Sequence, residues 1–231
     1  YVLEDNFGNR RTYQFIVKGK RQDIPEYKPE ANEMLYWNRT NVIQKPGMEL
    51  VVPRYYVYEN VPLRTDMRGD SSHIAFDYIL DAGRTPIHSY CDLSIGLRHM
   101  PVADTKKYYI VQKAGKWRSS MGGKYANGWI KTRVRSLGTF SVDMDTIAPQ
   151  ITPIGQGGWR TSRNIRFRIK DMESGIGSYK VYIDGKFVLF GLKKGILVIQ
   201  TPEKVKKGVS HKLEVTVTDQ GGNMTRKEYK F

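Results

Sequence analysis

Apolar and polar residues alternate along most of this chain in short runs, separated by glycine, proline and Asn-Gly or Asp-Gly pairs. A period of two places successive side chains on opposite faces of a strand. No long segment with a 3.6-residue period occurs. The pattern predicts strands over 33–42, 48–58, 72–80, 91–97, 108–111, 117–125, 129–134 and 138–142. Seven more are predicted over 150–154, 165–170, 177–183, 186–190, 196–200, 211–219 and 225–231. Asn127-Gly128 and Asp184-Gly185 are tight-hairpin signals, because both positions of such a turn need positive φ. Pro53 lacks an amide donor and marks an edge, a bulge or a break in its run.

The two ends of the chain repeat one another. Residues 2–9 and 217–223 each carry a short strand and an Asp-x-x-Gly-Asn turn, at Asp5–Asn9 and Asp219–Asn223, and a second strand follows. Asp can bond the backbone two residues on, and Gly and Asn accept positive φ. A two-stranded hairpin is marginal alone in water, so the first copy is expected to be the last hairpin of an upstream sandwich. The expected fold is all-β: tandem immunoglobulin-like β-sandwiches with an N-terminal hairpin from a preceding one. The divisions are 1–20 for that hairpin, 21–32 for a Pro-containing polar linker, 33–144 for a middle sandwich and 145–231 for a C-terminal immunoglobulin-like domain.

Composition narrows the function. The single cysteine, Cys91, excludes an internal disulfide and a cysteine cluster for zinc. It lies in an apolar run and reads as a small buried hydrophobe. No apolar run reaches the length of a membrane span. The net charge of +15 is uneven: 6 Lys/Arg face 5 Asp/Glu in residues 1–32, 16 face 11 in 33–145, and 16 face 7 in 146–231. Such an excess either solvates the surface or attracts polyanions. No run reaches the five or six like charges of a nucleic-acid-gripping tail, so nucleic acid is not the expected partner.

Catalytic constellations are sparse. His73 and Asp77 have an H-x-x-x-D spacing, but no His-x-His pair completes a zinc site. His211 is expected at an exposed strand edge. His88 and His99 lack a serine or carboxylate in a known arrangement, and no Gly-x-Ser-x-Gly elbow occurs. Asp145, Asp171, Glu173 and Asp219 can converge at one pole of a sandwich and offer oxygens to calcium; alternatively, each closes its own turn. Among the tryptophans, Trp159 lies in a Gly-rich loop and is the expected exposed platform for a polymer, with Arg160 beside it, while Trp37, Trp117 and Trp129 include core fillers.

Asp145-Thr-Ile-Ala-Pro149, Asp171-x-Glu-Ser-Gly-Ile176, Tyr182-Ile-Asp-Gly-Lys186 and the run from His211 to Asn223 resemble bacterial immunoglobulin-like modules. Together with Tyr108-Tyr-Ile-Val111, Gly122-Gly-Lys-Tyr-x-Asn-Gly-Trp129 and Leu137-Gly-Thr-Phe140, their order resembles the C-terminal region of Bacteroidetes lysostaphin-type, LytM-like zinc peptidoglycan endopeptidases. The resemblance implies a periplasmic or cell-envelope location and a non-catalytic tail. Zinc would sit only in an upstream peptidase domain. That domain, peptidoglycan or another envelope protein would be the partners. The alternative is a binding module or adhesin for glycans or an anionic envelope polymer.

Overall fold

The computed structural model describes residues 1–20, 30–83, 85–162, 164–200, 205–206 and 208–231. The expected linker over 21–32 lies mostly outside the described residues. Its last residue, Asn32, is not a linker residue. Its amide oxygen accepts from Thr65 N at 2.7 Å and its Nδ2 donates to Thr65 O at 2.8 Å, which docks it on the middle sandwich.

The chain is all-β. Strands β1 (Val2–Glu4) and β2 (Arg10–Thr12) form a separate two-stranded sheet in register Val2↔Thr12, with every residue exposed. Tyr1 stacks on Phe15 at 5.4 Å. Its turn is closed by Asp5 alone. Oδ1 accepts from Phe7 N and Asn9 N, and Oδ2 accepts from Asn9 Nδ2 at 2.8 Å.

The middle sandwich comprises β3 (Glu33–Leu35), β4 (Asn41–Lys45), β5 (Met48–Val52), β6 (Val61–Arg68), β7 (Asp77–Asp81), β8 (Cys91–Gly96), β9 (Tyr108–Ala114), β10 (Trp117–Gly122), β11 (Lys124–Ala126), β12 (Trp129–Val134) and β13 (Gly138–Met144). One sheet has the order β10-β9-β13-β7-β6-β3 and the other β11-β12-β8-β5-β4. Burial alternates, as in Cys91, Leu93 and Ile95 on β8. The inward residues Leu35, Leu50, Leu63, Leu80, Ile110, Ile130 and Phe140 make one core. Cys91 belongs to it, and burial pushes its thiol up to about 11.

Three predicted strands of the middle sandwich are broken where no proline marks it. The run 33–42 splits because Asn41 turns inward: its Oδ1 accepts from Tyr36 N and its Nδ2 donates to Tyr36 O, closing a connection between the two sheets. In the run 72–80, only the part from Asp77 is strand, since Asp70 folds residues 70–73 into a turn by accepting from Ser72 N. The run 117–125 changes sheets at Gly122 (φ 64°) and Gly123 (φ 144°), where the register also shifts. The proline break is real: β5 ends at Val52, immediately before Pro53.

The C-terminal sandwich holds β14 (Gln150–Ile154), β15 (Asn164–Lys170), β16 (Ile176–Ile183), β17 (Lys186–Phe187), β18 (Phe190–Lys193), β19 (Ile196–Gln200), β20 (Lys212–Asp219) and β21 (Met224–Lys230). Its sheets are β14-β15-β19-β18 and β17-β16-β20-β21. This is the A-B-E-D against C′-C-F-G arrangement of an immunoglobulin-like sandwich. Asp184 (φ 49°) and Gly185 (φ 76°) form the expected hairpin turn. The predicted strand 186–190 divides at Val188, whose buried side chain marks the crossing from one sheet to the other.

Gly123 tests how tightly the bend in the middle sandwich is packed. A Cβ there would lie 2.5 Å from Cγ2 of the fully buried Ile130, at a φ that L residues avoid. Gly123→Ala is expected to cost about 1–3 kcal/mol through overpacking, read as a lower urea midpoint. Gly115→Ala, where a Cβ meets open space, serves as the comparison and should cost less. Equal losses at the two positions would show that the Ile130 contact does not matter.

Candidate functional site

Asp145 follows the last strand of the middle sandwich and is fully buried. Its amide donates to Lys107 O at 2.8 Å, so the chain leaves the middle sandwich as an extension of its pairing. The B–C turn of the C-terminal sandwich then arrives from one side, with Asp171, Glu173 and Ser174. The F–G turn arrives from the other, with Asp219, Gln220 and Asn223.

Hydrogen-bond donors knit the three segments together. Asp145 Oδ1 accepts from Ile147 N at 3.0 Å, and Oδ2 accepts from Ser174 N at 3.0 Å and from the Ser174 hydroxyl. Asp171 Oδ2 accepts from Glu173 N at 3.0 Å and Gly175 N at 2.7 Å. Asp219 accepts from Asn223 N and from Asn223 Nδ2, both at 2.8 Å. Asn223 Nδ2 also donates to Asp145 O and Oδ1 at 3.1 Å, while its Oδ1 accepts from Lys107 Nζ of the middle sandwich. Gln220 leans on Gly122, where a Cβ would come within 3.2 Å of its Oε1.

One carboxylate oxygen from each of Asp145, Asp171 and Asp219 lies within 4.8 Å of the others. The expected convergence is therefore present for these three, and Glu173 sits beside them. Each aspartate also closes a turn. The three could supply part of a calcium shell, which needs six to eight oxygens. Backbone amides, Ser174 and Asn223 already donate to carboxylate oxygens of all three.

Titration follows from this crowding. Burial disfavours the charged form of a carboxyl and so raises its pKa, and neighbouring charges of like sign add to this. For Glu173, burial comes first, then the hydrogen bond it shares with Asp145 and the charges of Asp145, Asp143 and Asp171, pushing it up to about 7. Its Oε2 is buried without a partner among the described residues. At Asp145 burial acts upward too, but the Ser174 and Ile147 donors outweigh it and hold the group below the ordinary aspartate range. The two copies of the Asp-x-x-Gly-Asn turn diverge for the same reason. In exposed Asp5 the Asn9 side chain and the backbone donors lower the value; in buried Asp219 desolvation outweighs the Asn223 donors and raises it.

Other expected site residues lie elsewhere. Trp159 is not exposed. Gly155 (φ 64°) turns the loop back, and the indole drops into the core with Nε1 donating to Ile154 O at 3.0 Å. Its ring lies 4.9 Å from Phe167 and 5.6 Å from Tyr229, and the residue is 2% exposed. Arg160 remains on the surface. Among the described residues, no guanidinium lies over the Trp159 ring.

The exposed tryptophans are Trp117, at 80%, and Trp37, at 44%. Trp37 stands 5.7 Å from Tyr55, whose φ of 67° is unusual for an aromatic residue and is fixed by Tyr55 N donating to Trp37 O at 2.7 Å. The local sequence signal near this pair is Pro53, which marks an edge, a bulge or a break in its run. His73 bonds Asp70 at 3.0 Å, whereas Asp77 pairs with Lys113 at 2.6 Å, so His73 and Asp77 do not share a site. His211 is mostly buried, its side chain 14% exposed. Its Nδ1 lies 2.7 Å from Asp184 Oδ2 and its Nε2 2.9 Å from Lys206 O, tying β20 to the β16–β17 turn.

Residues 32–145 match the family model of the Zu5-like domain. Comparison with curated proteins finds no match. Among solved structures, the chain is similar to the glycoside hydrolase domain of Endo-D from Streptococcus pneumoniae R6, at 12% identity and a TM-score of 0.25. The alignment covers 78% of this chain and 38% of that one, so this chain spans well under half of that structure's length. A likeness of that size carries no argument. Among the described residues, no helix is long and apolar enough to cross a membrane.

Two consequences can be measured. Glu173 is raised from 4.5 to about 7, so its contribution to stability is complete below pH 4.5 and is lost as pH rises through 7. Thermal unfolding at pH 5 and pH 8 should show this loss, and Glu173→Gln should reduce it. An unchanged pH difference in the variant would contradict the assignment. Trp159→Ala should cost about 3–5 kcal/mol in denaturant unfolding, as expected for a core aromatic; a surface platform would cost little.

Proposed function

We propose that this chain is a non-catalytic accessory segment whose sandwiches hold another domain of the same protein at a set reach and orientation. The observation that carries this reading is the joint between the sandwiches. Only residues 145–149 separate β13 from β14, and Asp145 and Pro149 within them are buried. Lys107 contributes from the middle sandwich at two points: its carbonyl accepts from Asp145 N, and its ammonium binds Asn223 Oδ1. Relative domain motion is the default between modules joined by a free linker. A short connection, buried at both ends and held by hydrogen bonds to Lys107, opposes it.

The resemblance of the ordered motifs supports, as the domain to be positioned, a zinc peptidoglycan endopeptidase in the periplasm or cell envelope. In this reading the peptidase domain carries the zinc and the chemistry, and this chain supplies stiffness. Peptidoglycan or another envelope protein would be its external contact. The purified chain, with or without added zinc, should release no muropeptides from sacculi; release would overturn the reading. Lys107→Ala with Asn223→Ala should broaden the distribution of interdomain distances in small-angle scattering. An unaltered distribution would remove the joint as the carrying observation.

The Trp37–Tyr55 pair favours a second reading, a glycan-binding module. Strained backbone that presents an exposed aromatic pair is the kind of outlier that points to a ligand. Retention on sacculi that is lost in Trp37→Ala but kept in Trp117→Ala would support it. Equal retention in both variants would count against it.

A further inference from the structure

The charge on the sheet faces is unequally compensated. On the middle sandwich, Lys113 pairs with Asp77 at 2.6 Å, Arg118 with Asp143 at 2.8 Å, and Arg68 with Asp66 at 3.3 Å. Its other sheet sets Arg133 opposite Asp92 in register, and Lys131 and Glu49 lie on either side of Ser94. On the C-terminal sandwich, the outer face of β17-β16-β20-β21 carries a network in which Lys212 and Arg226 each contact both Glu214 and Glu228.

The outer face of β14-β15-β19-β18 has no such compensation. β15 alternates in and out without interruption, and its outward residues are Asn164, Arg166, Arg168 and Lys170, all exposed. Register places Gln150, Thr152 and Ile154 of β14 on the same face, and Ile196, Val198 and Gln200 of β19. Lys193 of β18 lies opposite Ile196, which lies opposite Arg168. None of these outward positions is acidic, and among the described residues none of Arg166, Arg168, Lys170 and Lys193 pairs with a carboxylate. Four basic residues of 146–231 are thus on one sheet face, and the acids among the described residues of that segment are elsewhere: Asp171, Glu173 and Asp219 at the joint, Asp184 in a turn, and Glu214 and Glu228 on the opposite sheet.

Strand geometry sets the spacing of the cations. Successive outward residues on β15 are roughly 6.7 Å apart, and Lys193 is displaced by two strands, about 9.5 Å. We propose that this face binds a linear anionic polysaccharide, with Arg166, Arg168, Lys170 and Lys193 facing its carboxylate or phosphate groups. The uncharged members of the face suit that partner. Gln150, Thr152, Asn164 and Gln200 offer hydrogen bonds to hydroxyls between the charges. A single-stranded nucleic acid would want aromatic side chains on which to stack its bases, and no outward position of this sheet is aromatic. A bilayer would want protruding apolar side chains, whereas Ile154, Ile196 and Val198 are half-buried within the sheet surface. This inference is independent of the positioning role and of the joint.

The test uses the whole chain and fluorescent polygalacturonate, with single-stranded DNA of equal charge and phosphatidylglycerol vesicles as competitors. Binding is expected at low salt and should weaken at least about tenfold in high salt, as exposed charges are screened. Removing four charges from the face, R166Q/R168Q/K170Q/K193Q, should weaken low-salt binding by about tenfold or more. Removing four exposed lysines elsewhere, K116Q/K124Q/K180Q/K186Q, should change it less than about twofold. Circular dichroism of both variants checks that they fold. Equal losses in the two variants would reduce the effect to net charge and overturn the proposal. Tighter binding of DNA or of the vesicles than of the polysaccharide would also overturn it.

Discussion

The arrangement of the two sandwiches depends on keeping three carboxylates within 4.8 Å of one another. Two unit charges at that distance repel by about 3.5 kcal/mol at an effective dielectric constant of 20. Hydrogen bonds to charged groups contribute about 1.5–3 kcal/mol each, and the cluster receives them from Ile147, Ser174, Glu173, Gly175 and Asn223. Repulsion is therefore matched only because the B–C turn amides, with Ile147 and Asn223, point at the carboxylates. Asn223 is the least replaceable of them. Its amide bridges Asp219 and Asp145 on one side and accepts the Lys107 ammonium on the other. Ser174, buried to 1% exposure, completes the cage by donating to Asp145 and accepting from Gly221 N.

Much of the fold was legible because a period of two is written into each strand. Runs such as Ile165, Phe167 and Ile169 on β15, or Leu213, Val215 and Val217 on β20, leave no other face to bury. Hairpins with Asn-Gly and Asp-Gly turns were legible for a local reason, positive φ. The sheet changes were not. At 33–42 the apolar run continues across a connection that only the buried Asn41 side chain closes. At 117–125 two adjacent glycines carry the strand from one sheet to the other. Alternation reports which face a residue takes, and it is silent about which sheet it joins.

The acidic site was partly legible, since each aspartate announces its own turn. The hydrogen bonds that join the turns come from Ser174, Asn223 and Lys107, residues whose partners are 29, 78 and 116 positions away. Trp159 was misjudged because a Gly-rich loop suggests exposure. One left-handed glycine is enough to fold such a loop back and bury its only large side chain. Conversely, Trp37 lay in what read as a strand and emerges at a surface turn.

The two Asp-x-x-Gly-Asn turns show what such a motif requires. Around Asp5 the aspartate bonds Asn9 through both main chain and side chain with no help from any other element, and around Asp219 the same two bonds recur within a crowded interface. The difference is Phe7 N, which binds Asp5, whereas its counterpart Gly221 N is diverted to Ser174. The motif is thus a self-contained clasp with one detachable donor. A chain can close it within microseconds from neighbouring residues alone, and the spare amide is then free to tie the turn to another loop of its own sandwich, as Gly221 N does to Ser174.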